Sequence, residues 1–289
     1  MQILITGANG TVGSAILSEL GDREEYEFTC LDVEDHPERE TVVADITNLD
    51  EIRPHFEGQD AVIHLAAAAE LSVPWDSVEE LNIRGTYNVM QAAAEAEVEN
   101  FIYASSIHTI GMYEIELSPE LYSLNHDLSI THDDQVRPDS FYGVSKVLGE
   151  ALGRQFVESQ ANPLGALHPV YETNLRDYPT RFYSLRILTV LGEQYDHPYG
   201  LAETGVDEDW WERDSDEYDL MVDRMKCTWF SHRDLGQMID LCLQDESVEF
   251  DIFWGVSDNE ATWVDLEHNR EVLGYEPKDN GAEWDAPPE

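Results

Sequence analysis

A glycine-rich turn near the amino terminus constrains the fold of this chain more than any other stretch. Residues 6–13 read Thr-Gly-Ala-Asn-Gly-Thr-Val-Gly, with a glycine at every third position. The apolar run Gln2–Thr6 precedes this turn, and Thr11–Leu20 follows with apolar residues at helical spacing. Glycine permits a close backbone approach, and a helix N-terminus presents free N–H groups. The pattern therefore predicts a pyrophosphate-binding turn built from Gly7, Asn9, Gly10, Thr11, Val12 and Gly13.

The segments after this turn alternate between strands and helices. Four further strands are predicted before residue 106, at Glu27–Leu31, Thr41–Ala44, Ala61–Leu65 and Phe101–Ala104. A long helical run from Trp75 to Glu97 lies between the last two. Because strands and helices alternate without an internal repeat, we expect an α/β fold with a doubly wound parallel sheet.

Residues at the carboxyl ends of these strands are suited to a dinucleotide. Asp32 ends the second strand, and a carboxylate there accepts hydrogen bonds from both hydroxyls of an adenosine ribose. The same charge would repel a 2′-phosphate, which favours NAD over NADP. Asp45 and Ile46 end the third strand, beside the expected adenine edge. The fourth strand is followed by small residues that would let the dinucleotide lie against the backbone, beginning at Leu65, Ala66 and Ala67.

A tyrosine and a lysine lie four residues apart in Tyr142-Gly-Val-Ser-Lys146, within a predicted helix from Ser140 to about Ser159. Positions i and i+4 share a helix face, so the phenol and the ammonium are expected side by side. A neighbouring cation lowers the pKa of a phenol, which makes Tyr142 a candidate base near neutral pH. Only three lysines occur in the chain. This scarcity favours a functional pair over a solvated surface pair.

The net charge of −45, from 16 basic and 61 acidic residues, is spread along the whole chain. Such self-repulsion destabilises a compact state, but molar salt, with a Debye length of about 3 Å, screens it. We therefore expect a protein of a high-salt cytoplasm. A nucleic-acid partner is disfavoured because so few basic residues cannot neutralise a phosphate backbone. A disordered acidic chain is also disfavoured, because 42% of the residues are hydrophobic and fall into periodic segments.

Two further classes are disfavoured. Cys30, Cys227 and Cys242 are odd in number and lack CxxC spacing, so neither a disulfide framework nor a metal site is expected. No apolar run approaches the roughly 18 residues of a membrane span, and no charged leader precedes the first strand. We expect a cytoplasmic protein without a membrane partner.

The chain is expected to divide near residue 160. Residues 1–160 would form the dinucleotide-binding core, with a loop-rich acidic lobe at 112–139. Residues 161–289 would add the remaining strands and a small substrate-binding lobe, intertwined with the core. Within this second part we predict strands at Arg181–Val190 and Phe250–Gly255, helices from Asp234 and over Asp265–Leu273, insertions at 161–180 and 207–219, and a frayed tail at 282–289.

Taken in order, these features resemble the extended short-chain dehydrogenases/reductases over nearly the full length. The matching features are the TGxxGxxG turn, the acid after the second strand, a serine pair after the fifth strand, and YxxxK. More narrowly, four blocks resemble the uronate dehydrogenases and related haloarchaeal sugar and sugar-phosphate dehydrogenases. These blocks are Ser105–Gly111 (SSIHTIG), Arg137–Lys146 (RPDSFYGVSK), Arg224–Ser231 (RMKCTWFS) and Trp254–Ser257 (WGVS). The fold that this resemblance implies is a Rossmann-type sheet.

The resemblance also implies roles for the matching residues. Ser106 and Tyr142 would hydrogen-bond the reacting oxygen. Lys146 would bind the nicotinamide ribose and depress the pKa of Tyr142. His108 would line a sugar pocket, and Arg224 would meet the distal end of the substrate, which is the carboxylate in a uronate.

Three other residues bear on the same site. Asn82 would lie along the cofactor. Ile107 replaces the asparagine of the uronate dehydrogenase pattern, so one hydrogen bond to the sugar is expected to be lost. Arg224 could instead pair with one of the many acids, and Arg186 could be buried with an acid or aimed at a substrate anion.

Together these roles describe an NAD-dependent sugar 1-dehydrogenase, which oxidises the anomeric carbon of an aldose, aldose phosphate or uronate to the lactone. Two alternatives stay open. A nucleotide-sugar 4-epimerase with tightly bound NAD shares the Ser/Tyr/Lys core, and a non-catalytic nicotinamide-sensing protein could share the fold. The family resemblance further implies a homo-oligomer, either a dimer or a tetramer.

Overall fold

A seven-stranded parallel sheet forms the centre of the molecule. The computed structural model describes residues 1–123, 126–158 and 178–288. The strands are β1 (Gln2–Thr6), β2 (Glu27–Asp32), β3 (Val42–Val43), β4 (Ala61–His64), β5 (Asn100–Ser106), β6 (Arg181–Ile187) and β7 (Phe250–Gly255). Their spatial order is β3-β2-β1-β4-β5-β6-β7. The predicted doubly wound α/β sheet is confirmed. Successive strands are added in one direction up to β3 and in the other direction from β4 onward, and such sheets bind ligands at this switch point between β1 and β4.

Helices cover both faces of this sheet. They are α1 (Thr11–Leu20), α2 (Leu49–Ile52), α3 (Trp75–Ser77), α4 (Thr86–Glu95), α5 (Gly111–Leu117), α6 (Phe141–Glu158), α7 (Gly200–Asp207), α8 (Asp216–Thr228), α9 (His232–Gln244) and α10 (Glu267–Leu273). A π-helical segment, Val78–Gly85, joins α3 to α4. The predicted helix at Trp75–Glu97 is therefore present but changes its winding in the middle.

Alternation along β1 divides the core between the two faces. Ile3 and Ile5 lie in one buried cluster with Ile16 of α1, whereas Leu4 lies in a second cluster with Phe156 of α6. Successive strand side chains point to opposite faces, so a strand buried on both sides reads as a continuous apolar run. This packing fixes α1 and α6 on opposite faces of the sheet.

The carboxyl-terminal half differs from the sequence prediction in the acidic segment 207–219 and in the tail. The acidic segment 207–219 overlaps the end of α7 and the start of α8, and Trp211 packs back on α7 by donating to the Ala202 carbonyl at 2.9 Å. The tail predicted to fray is instead held by Trp284. Its ring lies 6.1 Å from that of Trp229, and its carbonyl accepts from Lys226 Nζ at 2.7 Å. The predicted insertion at 161–180 lies mostly outside the described residues.

Cys30, Cys227 and Cys242 are buried free thiols. Within the described ranges, no helix combines the length and apolar character needed to cross a membrane.

Candidate active site

A cleft of about 1170 Å³ runs along the carboxyl ends of the strands. It brings together most of the predicted site residues. Those that line it are Gly7, Asn9, Gly10, Thr11, Val12, Gly13, Asp32, Asp45, Ile46, Leu65, Ala66, Ala67, Ser106, His108, Tyr142 and Lys146. Three predicted residues, Asn82, Ile107 and Arg224, lie outside the lining. The predictions did not include the wall at the end of β6, formed by Ile187, Leu188 and Val190.

The glycine turn leaves the first N–H groups of α1 open to the cleft. These groups have no intrahelical acceptor, and Gly10 at the N-cap has no side chain that could accept from them. Gly7 has a φ of +74°, and a Cβ on it would lie 2.6 Å from the Ala66 nitrogen. A Cβ on Gly13 would lie 2.6 Å from the Ala8 oxygen. The resulting cradle of N–H groups at a helix N-terminus fits the pyrophosphate of a dinucleotide.

Asp32 is held at the end of β2 by the backbone. Its Oδ2 accepts from the Asn9 N–H at 2.9 Å, and its Oδ1 accepts from the Val33 N–H at 2.8 Å. Each carboxylate oxygen keeps capacity for a further hydrogen bond, so the pair can receive two ribose hydroxyls. Glu34 and Asp35 add negative charge to the same wall. This wall suits an adenosine ribose without a 2′-phosphate.

Asn82 connects the cleft wall to α6. Its amide exchanges hydrogen bonds with the backbone of Ala68, at 2.7 and 3.0 Å, and donates to Ser145 Oγ at 3.0 Å. Ser145 Oγ in turn donates to the Tyr142 carbonyl at 2.7 Å. Asn82 therefore helps to place the helix that carries Tyr142, and its direct contact with a cofactor stays a prediction.

Ser106, Tyr142 and Lys146 meet where β5 ends against the first turns of α6. Ser106 is the last residue of β5, and Tyr142 and Lys146 occupy successive turns of α6. All three are buried at the base of the cleft. Lys146 Nζ lies 5.5 Å from the centre of the Tyr142 ring and donates to the Ala104 carbonyl at 2.6 Å. The i, i+4 spacing thus places the ammonium beside the phenol, as predicted.

Burial dominates the pKa values of this pair. Desolvation raises the pKa of the Tyr142 phenol above its ordinary value, and a hydrogen bond with Ser106 opposes the rise only in part. Burial also lowers the pKa of Lys146 to about 7. In the chain alone the net effect on the pKa of Tyr142 is thus a rise, because a buried site penalises the charged form of each group, and the depression of this pKa by Lys146 stays a prediction. A lysine that titrates near neutrality can still exchange a proton with its surroundings at physiological pH.

His108 is oriented by Asp139, an acid that the predictions did not include. His108 Nδ1 lies 2.7 Å from Asp139 Oδ2, and Ser140 Oγ donates to Asp139 Oδ1 at 2.8 Å. Burial opposes ionisation of Asp139, but the hydrogen bond from His108 holds the pKa of this carboxyl below its usual range. With Nδ1–H donating to Asp139, the Nε2 of His108 is left as an acceptor. The position of Asp139, three residues before Tyr142, was the available sequence signal.

Comparison with known proteins identifies the family of this chain. The sequence model of the NAD dependent epimerase/dehydratase family matches residues 3–202. The chain belongs to this family. It is 32% identical to the NAD-dependent glucose-6-phosphate dehydrogenase of Haloferax volcanii, over 98% of this chain and 95% of that protein. It is 30% identical to the L-arabinose 1-dehydrogenase (NAD(P)(+)) of the same organism, over 97% of this chain and 98% of that protein.

The fold matches solved structures as well. The crystal structure of uronate dehydrogenase from Agrobacterium tumefaciens superimposes with a TM-score of 0.69 at 25% identity, covering 97% of this chain and 85% of that chain. The predicted resemblance to the uronate dehydrogenases and the haloarchaeal sugar and sugar-phosphate dehydrogenases is confirmed.

Two residues that were predicted to contact the substrate, Ile107 and Arg224, lie outside the cleft lining. Ile107 is buried in the apolar cluster that contains Ile3. Arg224 on α8 forms a two-point ion pair with Glu114 of α5, with Nε to Oε1 at 2.6 Å and Nη2 to Oε2 at 3.3 Å. The structure thus shows the alternative in which Arg224 pairs with an acid, and its contact with a substrate stays a prediction.

Arg186 is buried with an acid beneath the site. Its Nε and Nη2 donate to the two carboxylate oxygens of Glu150, each at 2.9 Å, and Ser105 Oγ donates to Glu150 Oε1 at 2.6 Å. Arg186 is 1% exposed and Glu150 is 5% exposed. Glu150 lies one turn after Lys146 on α6, so its bonds with Arg186 and Ser105 join α6 to β6 and β5.

One group of possible metal ligands lies outside the cleft lining. Among the described residues, His132, Asp251 and His268 have donor atoms within 4.8 Å of one another. The two imidazole rings, however, stack 3.6 Å apart with their planes at 17°. Imidazole lone pairs lie in the ring plane, so two stacked rings cannot direct both lone pairs at one tetrahedral ion. His268 Nε2 instead hydrogen-bonds Asp251 Oδ2 at 3.0 Å.

Proposed function

We propose that this chain is an NAD-dependent sugar 1-dehydrogenase, which oxidises the anomeric carbon of an aldose, aldose phosphate or uronate to the lactone. The observation that carries the proposal is the convergence of Ser106, Tyr142 and Lys146 on the cleft that also holds the glycine turn and Asp32. Relatives over nearly the full length are named as sugar dehydrogenases, which supports an oxidoreductase reaction on a sugar. The family description and the acidic wall around Asp32 support NAD as the cofactor.

The chain's own residues would orient the substrate and move its proton. Ser106 Oγ would hydrogen-bond the anomeric oxygen, and Tyr142 Oη would take the proton of the anomeric hydroxyl. As that proton leaves, the hydrogen on C1 departs as hydride and the C1–O bond becomes a carbonyl. When bound, NAD would supply the nicotinamide that accepts this hydride. Lys146 would bind the nicotinamide ribose, while its positive charge would stabilise the Tyr142 phenolate.

Burial of these groups serves the same chemistry. Electrostatic interactions are stronger in a site that excludes water, so one ammonium near the phenolate has a large effect there. His108 Nε2, left as an acceptor by the bond from Nδ1 to Asp139, is suited to receive a hydroxyl of the sugar ring. Together Ser106 and His108 would fix the ring so that the C1–O bond lies against Tyr142.

The deciding experiment measures NADH formation in molar KCl with a panel of free aldoses, uronates and aldose phosphates. We expect turnover on at least one class, with a lactone as the first product. No turnover on any sugar, together with NAD that survives purification and interconversion of UDP-sugars, would replace this proposal with the 4-epimerase. A chain that binds NAD but shows neither activity would instead be the sensing protein.

Tyr142→Phe tests the assignment of the base. Loss of a general base lowers turnover by about 10²–10⁴-fold, while NAD binding, measured by fluorescence, should persist. Tyr87→Phe is the matched control, because Tyr87 is an exposed tyrosine on α4 that hydrogen-bonds Gln91. Turnover in Tyr142→Phe equal to that of the Tyr87→Phe control would show that the base is misassigned.

A further inference from the structure

Glu114 on α5 and Arg224 on α8 form an ion pair that joins these two helices close to the cleft. α5, which carries Glu114, begins three residues after the cleft residue His108. α8, which carries Arg224, ends at Thr228, whose carbonyl accepts from the Thr189 N–H at 3.0 Å. Thr189 lies between two residues that line the cleft wall after β6. The junction of α5 and α8 therefore adjoins the part of the cleft that a sugar with C1 at Ser106 would fill, although Glu114 and Arg224 themselves lie outside the cleft lining.

The charge of Arg224 is already balanced at this junction. Glu114 takes the Nε and Nη2 donors of Arg224, at 2.6 and 3.3 Å, and Tyr122 OH donates to Glu114 Oε1 at 2.8 Å. The side chains of Glu114 and Arg224 are only 12% and 19% exposed. A pair this far withdrawn from water is weakly screened by salt. The pair therefore carries hydrogen-bonding groups but no net positive charge.

The other basic groups in the described cleft lining either already have a hydrogen-bond partner or lie at the opposite end of the cleft. His108 is held by Asp139, and Lys146 donates to the Ala104 carbonyl behind Tyr142. His36 lines the far end of the cleft, beside Asp32. An anionic substituent at the distal carbon would therefore have to lose its hydration beside the carboxylate of Glu114. A neutral hydroxyl would meet no such repulsion, because it carries no charge and can both donate and accept hydrogen bonds.

We propose that Glu114 is a specificity-determining residue, which neutralises Arg224 and makes a neutral aldose, rather than a uronate or an aldose phosphate, the substrate of this enzyme. The inference rests on the proposed dehydrogenase function and narrows its substrate class. Glu114 acts through Arg224 as a positioning residue, since it fixes both the orientation and the effective charge of the guanidinium.

Matched sugar pairs in the NADH assay test this inference. The pairs are D-glucose with D-glucuronate and D-glucose 6-phosphate, and D-galactose with D-galacturonate. In the wild-type enzyme, kcat/KM for the neutral member should exceed that for its anionic counterpart by at least about tenfold. Glu114→Gln should lower this ratio by about tenfold or more, mainly through a lower KM for the anion, because Arg224 is then an unbalanced cation.

Two further variants separate charge from packing. Glu116→Gln is the matched control, because Glu116 also lies on α5 and also pairs with an arginine, Arg137, but the two side chains are 49% and 32% exposed. Its ratio should stay within about twofold of the wild type. Glu114→Asp keeps the charge in a shorter side chain and should keep the preference for the neutral sugar.

Three outcomes would overturn the inference. The first is a wild-type preference for any anionic member of a pair. The second is a Glu114→Gln variant that loses activity on neutral and anionic sugars alike while its circular dichroism is unchanged. The third is an equal change in Glu116→Gln. Absence of turnover on every sugar would instead refute the dehydrogenase function itself, so the two failures are distinguishable.

Discussion

Removal of the Arg186 guanidinium would leave the Glu150 carboxylate buried without its partner. The pair has two charge-assisted hydrogen bonds of 2.9 Å, and Glu150 is 5% exposed, so water cannot replace the lost donors without opening the interface between α6 and the sheet. Breaking a buried pair costs about 3–5 kcal/mol. We therefore expect Arg186→Met to lower the free energy of unfolding by about 4 kcal/mol. For a chain of 289 residues this corresponds to a fall in Tm of roughly 7 °C.

Two variants show whether the unpaired charge causes this loss. The double variant Arg186→Met, Glu150→Leu removes both charges, and apolar replacement of a whole buried pair is often neutral. It should recover most of the loss, short by about 1 kcal/mol because Ser105 Oγ then has no acceptor. Arg270→Met is the control, because the pair of Arg270 with Asp258 is 45% and 54% exposed. That substitution should cost no more than about 1 kcal/mol.

Urea denaturation at constant molar KCl, followed by circular dichroism, gives the free energies directly. The slope of the free energy with urea should be the same for all variants, so that midpoint shifts report stability alone. A loss below about 1 kcal/mol in Arg186→Met, or a double variant as unstable as the single one, would refute the argument that this pair is desolvated and coupled.

Three other predictions concern the cofactor, acid and salt. Asp32→Ser should raise the ratio of NADP to NAD efficiency by about tenfold or more, because repulsion of the 2′-phosphate is removed, and an unchanged ratio in kcat/KM would contradict this role. His64 is buried between Thr6 and Thr86, and burial lowers the pKa of His64 to about 3. The unfolded chain therefore takes up a proton that the folded chain refuses, and stability should fall as the pH drops from about 6.5 toward 3. His64→Gln should flatten this slope in denaturation measured between pH 7 and 4.5; a parallel slope would exclude His64 as the titrating group. The net charge of −45 predicts unfolding on dialysis into low salt, which unchanged circular dichroism would disprove.

The sequence by itself determined the features that depend on residues close together in the chain. The glycine spacing in residues 6–13 predicted the turn between β1 and α1, because backbone sterics and helix geometry act locally. The apolar runs predicted the parallel strands, and Asp32 followed from the end of one of them. The i, i+4 spacing placed Lys146 beside Tyr142 for the same local reason.

The tertiary structure alone decided which charges meet. Arg186 and Glu150 are 36 residues apart, and Arg224 and Glu114 are 110 apart. With 61 acids in the chain, no local pattern selects these partners. Long-range pairing follows from how helices pack on the sheet, which depends on the whole core.

The pKa of Tyr142 likewise depends on a feature that the sequence predicts and on one that only the tertiary structure decides. Spacing predicted a cation beside the phenol, and the structure has it there, yet the pKa is raised because the residue is buried. Desolvation depends on how much of the protein surrounds a group, and α6 acquires that environment only when it packs against β5. The sequence therefore specified the groups of the candidate site, while the packing of the folded chain set their protonation and partners.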